Sequence, residues 1–308
     1  QGYFSSACTS KGPLMRNLFA PAKINLYLGV HTERDERGYH RVDSVMTTLD
    51  FGDEITIEPS DSLTLKFSPA IQAATEKTTT YRTVEALGKA FQRPTNFEIH
   101  VKRGIPERSG LGGSSTDAGA VLKAICMGWG IGPLDPRVVK VAQRVGADIP
   151  FFLSPHTSYL AGTGDTLVEQ FEAPKLSVVV VRPPIHGSHA QEAYQEFDRH
   201  PEKAGDLEVM LEALRAHDTA RIMENISNNL QTACERLEPD LAAVVVWLNQ
   251  QEGAVSAAVS GSGACCFALC EKDEMAKEIA DKAHKVQHWW SKSAKVVDAD
   301  SFGIGCLS

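Results

Sequence analysis

The segment "GLGGSST" (110–116) sets three glycines and three hydroxyl residues directly ahead of an apolar helical pattern. Glycine-turn amides and the unpaired N–H groups of a helix start converge on one point, where the helix dipole also favours negative charge. These residue types suit a phosphate. Spacing excludes two familiar cradles. A Walker-type loop needs a Lys after its last glycine, and none follows Gly113. A dinucleotide fingerprint needs glycine where Ser115 stands. Asp50, Phe51 and Gly52 match the metal-binding triplet of protein kinases, but no catalytic loop or glycine loop precedes them, so they read as a strand end.

The elements that must position this loop are strands and helices in mixture, without repeats. The pattern over 18–30 reads as a strand in which Pro21 marks an edge or a bulge. Residues 44–51, 53–60 and 62–67 read as three short strands joined by tight turns, followed by helical character over 79–91 and an alternating strand over 96–105. Past the loop, Ala118, Val121, Leu122, Ile125 and Trp129 recur at helical spacing, with Ser114 or Ser115 available as N-cap. The chain therefore runs strand, glycine loop, helix. A helix over 135–146, a hairpin over 158–170 and a strand from 175 come next. Helices over 191–197, 205–215 and 237–250, a strand pair over 254–270, a helix over 274–285 and a last strand over 294–300 complete the pattern. The second half reads as one antiparallel α+β unit. This places an N-terminal unit at 15–172 and a C-terminal unit at 173–308, with Met15 as the expected native start and residues 1–14 set aside as a tag remnant or tail.

Composition bounds the function. At 308 residues and 43% hydrophobic the chain can bury a large core, and its net charge of -8 offers no general attraction to nucleic acid or anionic lipid. No apolar run reaches the roughly 20 residues of a membrane span. Seven cysteines, an odd number without framework spacing, fit free thiols in a reducing compartment, and the expected location is the cytoplasm. Cys265, Cys266 and Cys270 read as buried apolar residues, because adjacent strand positions face opposite ways and no further pair completes a metal site.

Pro106 followed at a fixed distance by "GLGGSSTDA", the earlier "PAKINLYLGV" (21–30) and the later "VSGSGACCFAL" (259–269) resemble, in order, the three motifs of the GHMP kinase superfamily. The superfamily is named for galactokinase, homoserine kinase, mevalonate kinase and phosphomevalonate kinase. "RGYHRVDSVMTTLDFGDEITI" (37–57) and "GADIPFF" (146–152) are similar to the branch that phosphorylates a cytidine-diphosphate-linked methylerythritol. The resemblance runs from about residue 18 to the last strand. It implies an α+β fold of two domains, the first with a left-handed crossover and the second ferredoxin-like, with the active site between them. The implied reaction passes the γ-phosphoryl group of ATP to the substrate's 2-hydroxyl, in the non-mevalonate route to isoprenoids, with magnesium expected on the phosphates and its ligands unassigned.

The same resemblance assigns roles. Pro106, Ser109, Gly110, Leu111, Gly112, Gly113, Ser114, Ser115 and Thr116 would bind ATP; one hydroxyl can cap the helix while another meets phosphate. Asp148, which could simply cap a turn, becomes the base that accepts the alcohol proton. Lys23, otherwise a solvated edge charge, becomes its cationic partner, and Asn25 on the same strand face would bond the substrate hydroxyl. Tyr39 and His40, otherwise turn residues, would hold cytosine by stacking and edge readout. Glu107 and Arg108 replace small residues of the family's loop; Arg108 would add a phosphate contact, while Glu107 must point away or cost affinity. His186 and His189 are read as non-catalytic. Two rivals stand beside this reading: a superfamily kinase for another small alcohol, such as mevalonate or homoserine, and a catalytically silent relative.

Overall fold

Residues 40–59 form one long strand where the sequence pattern suggests two with a turn between them. In the computed structural model, which describes residues 16–185 and 190–298, this strand (β2, His40–Pro59) pairs antiparallel with the equally long β1 (Arg16–Arg34). The triplet at 50–52 is therefore mid-strand. Asp50 and Asp53 look like turn formers, yet they act as in-strand acceptors: Asp50 for the Lys295 amide, and Asp53 for those of Gly104 and Ile105. Gly52 lies under β1, where an added Cβ would stand 2.0 Å from the Ala20 carbonyl oxygen. The close approach coincides with a register shift between Pro21 and Lys23, the bulge that Pro21 marks.

From β2 the chain continues through β3 (Thr64–Ser68), α1 (Thr79–Phe91) and β4 (Phe97–Lys102); β3 and β4 are parallel neighbours joined through α1. Then come α2 (Gly113–Gly128), α3 (Pro136–Val145), α4 (Ile149–Leu153) and the hairpin β5 (Thr157–Ala161) and β6 (Thr166–Phe171). Ala118, Val121, Leu122 and Ile125 of α2 are fully buried with Val84 and Leu87 of α1, Val138 of α3 and the inner face of β4. Trp129 lies at the edge of this core against Phe91. Neither Ser114 nor Ser115 caps α2; Gly112, in the left-handed conformation, is the N-cap, so both serines lie inside the first turn.

The second half runs β7 (Ser177–Arg182), α5 (Ala190–Arg199), α6 (Leu207–Arg215), α7 (Thr219–Glu224), β8 (Ser227–Asn228) and α8 (Gln231–Leu237). It ends with α9 (Asp240–Asn249), β9 (Ala254–Val259), β10 (Cys266–Cys270), α10 (Asp273–Lys285) and β11 (Trp290–Val297). The single helix expected over 237–250 starts only at Asp240, after a break before Pro239, and the last strand begins at Trp290, earlier than expected. The strand order β11–β7–β10–β9, antiparallel throughout with helices between β7 and β9 and between β10 and β11, is the ferredoxin-like arrangement. Val178 and Val180 of β7 enter one core with α6, while Val179 and Val181 enter another with α9 and α10. Each such valine, fully buried, stabilises the fold by about 1.5–3 kcal/mol. The expected division after 172 lies between β6 and β7. Hydrogen bonding crosses it, since β11 also pairs with β2 at Leu49 and Thr48.

Candidate active site

The glycine loop reaches its shape by being held from both halves of the chain. Gly110 (φ +76°) and Gly112 (φ +77°) occupy the left-handed region that favours glycine. Leu111, fully buried, fixes the loop to β1, its carbonyl accepting the Lys23 amide at 2.9 Å. From the other side, the amides of Ala264 and Cys265 donate to the carbonyls of Arg108 and Ser109, and the Ser260 hydroxyl donates to that of Gly110. The turn that follows β9 thus supports the loop. The start of α2 borders a cleft of about 1190 Å³ lined by Pro106, Ser109, Gly112, Ser114 and Ser115 among others, and since the amides of Ser115 and Thr116 donate to the Gly112 carbonyl, those of Gly113 and Ser114 are the ones left to it. Thr116 is buried behind the loop, its hydroxyl without a partner. Glu107 pairs with Arg103, and both residues line the cleft. Arg108 lines the cleft.

At the loop's mouth stands a charged pair. Lys23, 3% exposed, places Nζ 3.5 Å from Oδ2 of Asp148. Asp148 sits at the head of α4 and makes no capping bond with its side chain, so its half-buried carboxylate is left to the cleft. Asn25 shares the strand face of Lys23 and orients it: Lys23 Nζ donates to Asn25 Oδ1 at 2.7 Å, and Asn25 Nδ2 donates to Ser44 Oγ at 2.9 Å. Asn25 thus holds Lys23 in place, and it lines the cleft with a further donor and lone pair on its amide. Replacing Lys23 by Met keeps the stem's packing and removes the charge. The expected result is a kcat lower by about 10²-fold with KM far less changed. Steady-state kinetics check this, and a change confined to KM would make Lys23 a ground-state binding group.

Tyr39 and His40 part company. Tyr39 is 62% exposed in the turn between β1 and β2, with the Arg37 guanidinium over its ring. His40 is buried, and its Nδ1 lies 2.6 Å from the His31 carbonyl. Its Nε2 lies 3.1 Å from Asp198 Oδ1 without a hydrogen-bonding alignment. The His40 ring stacks on Tyr194 of α5 at 5.5 Å, and Tyr194 lines the same cleft as Lys23 and Asp148. Burial first, and then the nearby Asp148 carboxylate, raise the pKa of the Tyr194 phenol. Sequence reading passed over Tyr194, an ordinary inward position of an amphipathic helix, and also Asp53 and Asp117, which line the cleft beneath the loop. Only the Asp117 position inside the glycine motif signalled anything. His186 and His189 lie outside the described residues. Burial pushes the Cys270 thiol up to about 12, as befits an inert core residue, and the described residues group no three metal-ligating side chains.

A loop over a helix start, completed by a turn from a ferredoxin-like unit, matches known proteins in both halves. The GHMP kinases N terminal domain model covers residues 78–155, and the GHMP kinases C terminal model covers 210–287. The chain belongs to the GHMP kinases. A relative in Pelotomaculum thermopropionicum, a 4-diphosphocytidyl-2-C-methyl-D-erythritol kinase, is 33% identical over 85% of this chain and 91% of its own. The crystal structure of a 4-(cytidine 5'-diphospho)-2C-methyl-D-erythritol kinase superposes with a TM-score of 0.74, at 29% identity, over 91% of this chain and 98% of that one. Homoserine kinase from Cytophaga hutchinsonii, at 18% identity and a TM-score of 0.63 over 97% and 98% of the two chains, shares the fold. GHMP kinases take ATP as phosphate donor, and in this member the loop and the Lys23–Asp148 pair share one cleft. Among the described residues, no helix is long and apolar enough to cross a membrane.

Proposed function

We propose that this GHMP kinase transfers the γ-phosphoryl group of ATP to the 2-hydroxyl of 4-diphosphocytidyl-2-C-methyl-D-erythritol, in the cytoplasm, as a step toward isoprenoid precursors by the non-mevalonate route. The observation that carries the chemistry is the Lys23–Asp148 pair, 3.5 Å apart in the cleft that the glycine loop lines. The identity of the alcohol rests on the relatives and on the Tyr39–His40 turn. The units 15–172 and 173–308 form the two sides of the cleft in this reading. Five described cysteines are buried and unpaired, in keeping with a reducing compartment.

The nucleotide phosphates lie against the amides of the loop and the first turn of α2, with ADP as leaving group. The substrate hydroxyl gives its proton to Asp148 as its oxygen bonds to the γ-phosphorus and the bond from phosphorus to the β-phosphate oxygen breaks. Lys23, held by Asn25, offsets negative charge building on the phosphoryl oxygens. Magnesium needs only one or two protein oxygens besides phosphate and water, and the exposed Ser114 hydroxyl at the loop's mouth fits an ion that arrives on the nucleotide. Bound there by Ser114, it would neutralise charge on the β- and γ-phosphates.

Tyr39, exposed and free of core packing, is suited to cover a base, while His40 Nε2, buried 3.1 Å from Asp198 Oδ1, would have to exchange that neighbour to meet a base edge. Tyr39→Ala should weaken the cytidyl substrate by about 5- to 150-fold, the range for one lost base–aromatic stack, and leave ATP affinity alone. Tyr39→Phe, which keeps the stacking face, should be mild. Calorimetry with each ligand measures both. An ADP-release assay with the cytidyl substrate beside mevalonate and homoserine tests the assignment itself, since equal turnover of an alcohol lacking cytidine leaves only the general kinase reading.

A further inference from the structure

Beneath the glycine loop, two carboxyl groups that the phosphoryl transfer does not use face one another. Asp53, 1% exposed on β2, accepts the amides of Gly104 at 2.6 Å and Ile105 at 2.8 Å through Oδ1. Asp117, 3% exposed in the second turn of α2, lies within hydrogen-bonding reach of Asp53, and its own Oδ1 has no partner. Carboxylates only accept, so two of them bond each other only through a proton. Asp53 also touches both roots of the loop. A Cβ at Gly104, on the entering side, would stand 3.9 Å from its Oδ1, and one at Gly113, on the leaving side, 3.9 Å from its Oδ2.

We propose that Asp53 and Asp117 are a positioning pair that shares one proton, and that in this form they tie the entry of the phosphate loop to helix α2, so that losing the proton loosens the loop's hold on nucleotide. Two negative charges in a buried site repel each other and the phosphates above them. Burial, and then the Asp53 charge, push the Asp117 carboxyl well above the usual carboxylate range; Asp53 is itself raised, chiefly by burial, against the lowering effect of its two amide donors. The other charges around the pair are few. Arg103, just past β4, favours ionisation of both acids, while Glu107, which lines the same cleft, pairs with its guanidinium. Lys23 lies beyond the loop, its Cγ 2.9 Å from where a Gly112 side chain would begin. In the proposed form the pair holds its proton at neutral pH and gives it up as pH climbs, so binding is lost on the alkaline side.

The test is the dissociation constant of metal-free ADP, measured by calorimetry at intervals from about pH 7 to about pH 9.5, a span that reaches the highest values documented for buried carboxyls. The wild-type protein should weaken by about tenfold or more across this range, and Asp117→Asn, whose amide donates to Asp53 with no proton to lose, by less than about threefold. The readout is this ratio, whatever the variant's affinity at pH 7. A pH-independent wild-type constant overturns the proposal, as does an undiminished decline in Asp117→Asn. Should that variant fail to fold, the wild-type infrared spectrum decides: a protonated-carboxyl band present at neutral pH and lost at alkaline pH is expected, and its absence overturns the pair. The inference rests on nucleotide seating at the loop. Failure to bind ADP at any pH sinks that reading and this one together, whereas a flat pH profile sinks the pair alone.

Discussion

Asp148→Asn should lower kcat by about 10²–10⁴, the usual cost of losing a general base, while ATP binds within a few-fold of the wild-type affinity. The substitution keeps the side chain's size and hydrogen-bonding reach but removes the site that takes the proton. Little else should change. The Asp148 carboxylate caps no helix and is half exposed, so neither α4 nor the core depends on its charge. Among the described residues its close charged partner is Lys23, which retains the Asn25 acceptor in the variant. Steady-state turnover beside ATP calorimetry and a melting curve separates chemistry from folding. Turnover near the wild-type rate would remove Asp148 from the mechanism and leave the cleft without an identified base.

Gly112→Val should abolish ATP binding without unfolding the protein. Its φ of +77° is strained for any β-branched residue, and the new Cβ would stand 2.9 Å from Lys23 Cγ and 3.0 Å from Phe152 Cζ. The substitution therefore displaces the loop away from β1 and pushes on Lys23, so the amides above α2 lose their common focus. The rest of α2 is anchored independently by Ala118, Val121, Leu122 and Ile125, which are fully buried. Calorimetry with ATP and circular dichroism together decide. A dissociation constant close to wild type in a folded variant would place the nucleotide elsewhere.

What was legible in the residues divides by range. The glycine loop, the helix behind it and the alternating β4 are local patterns, and they appear as read. The support of the loop by 260–265 lay beyond any local pattern, because no local rule joins Gly110 to a serine 150 residues away. Long-range pairing also defeated the turn expected near 50–53: Asp50 and Asp53 are turn formers by type, but each accepts backbone amides from a distant element and lets the strand continue. Capping failed for the opposite reason. Ser114 and Ser115 are good caps by type, yet the left-handed Gly112 caps the helix two residues before the first of them. Asn25 was placed on the correct face, but its partners, Lys23 and Ser44, could not be known before β1 and β2 were paired.

The bonds from Ser260, Ala264 and Cys265 to the glycine loop have a consequence for a chain still being made. Synthesis delivers the loop well before the turn that braces it, so over an interval of some 150 residues the nascent protein carries a loop whose carbonyls at Arg108, Ser109 and Gly110 still lack these partners. ATP is abundant throughout that period, yet the finished cradle does not exist to receive it. Nucleotide cannot template the folding of the first half; it can only reward completion of the second. A ribosome-stalled chain ending before residue 260 should accordingly show none of the stabilisation by ATP that the released protein gains from mass action.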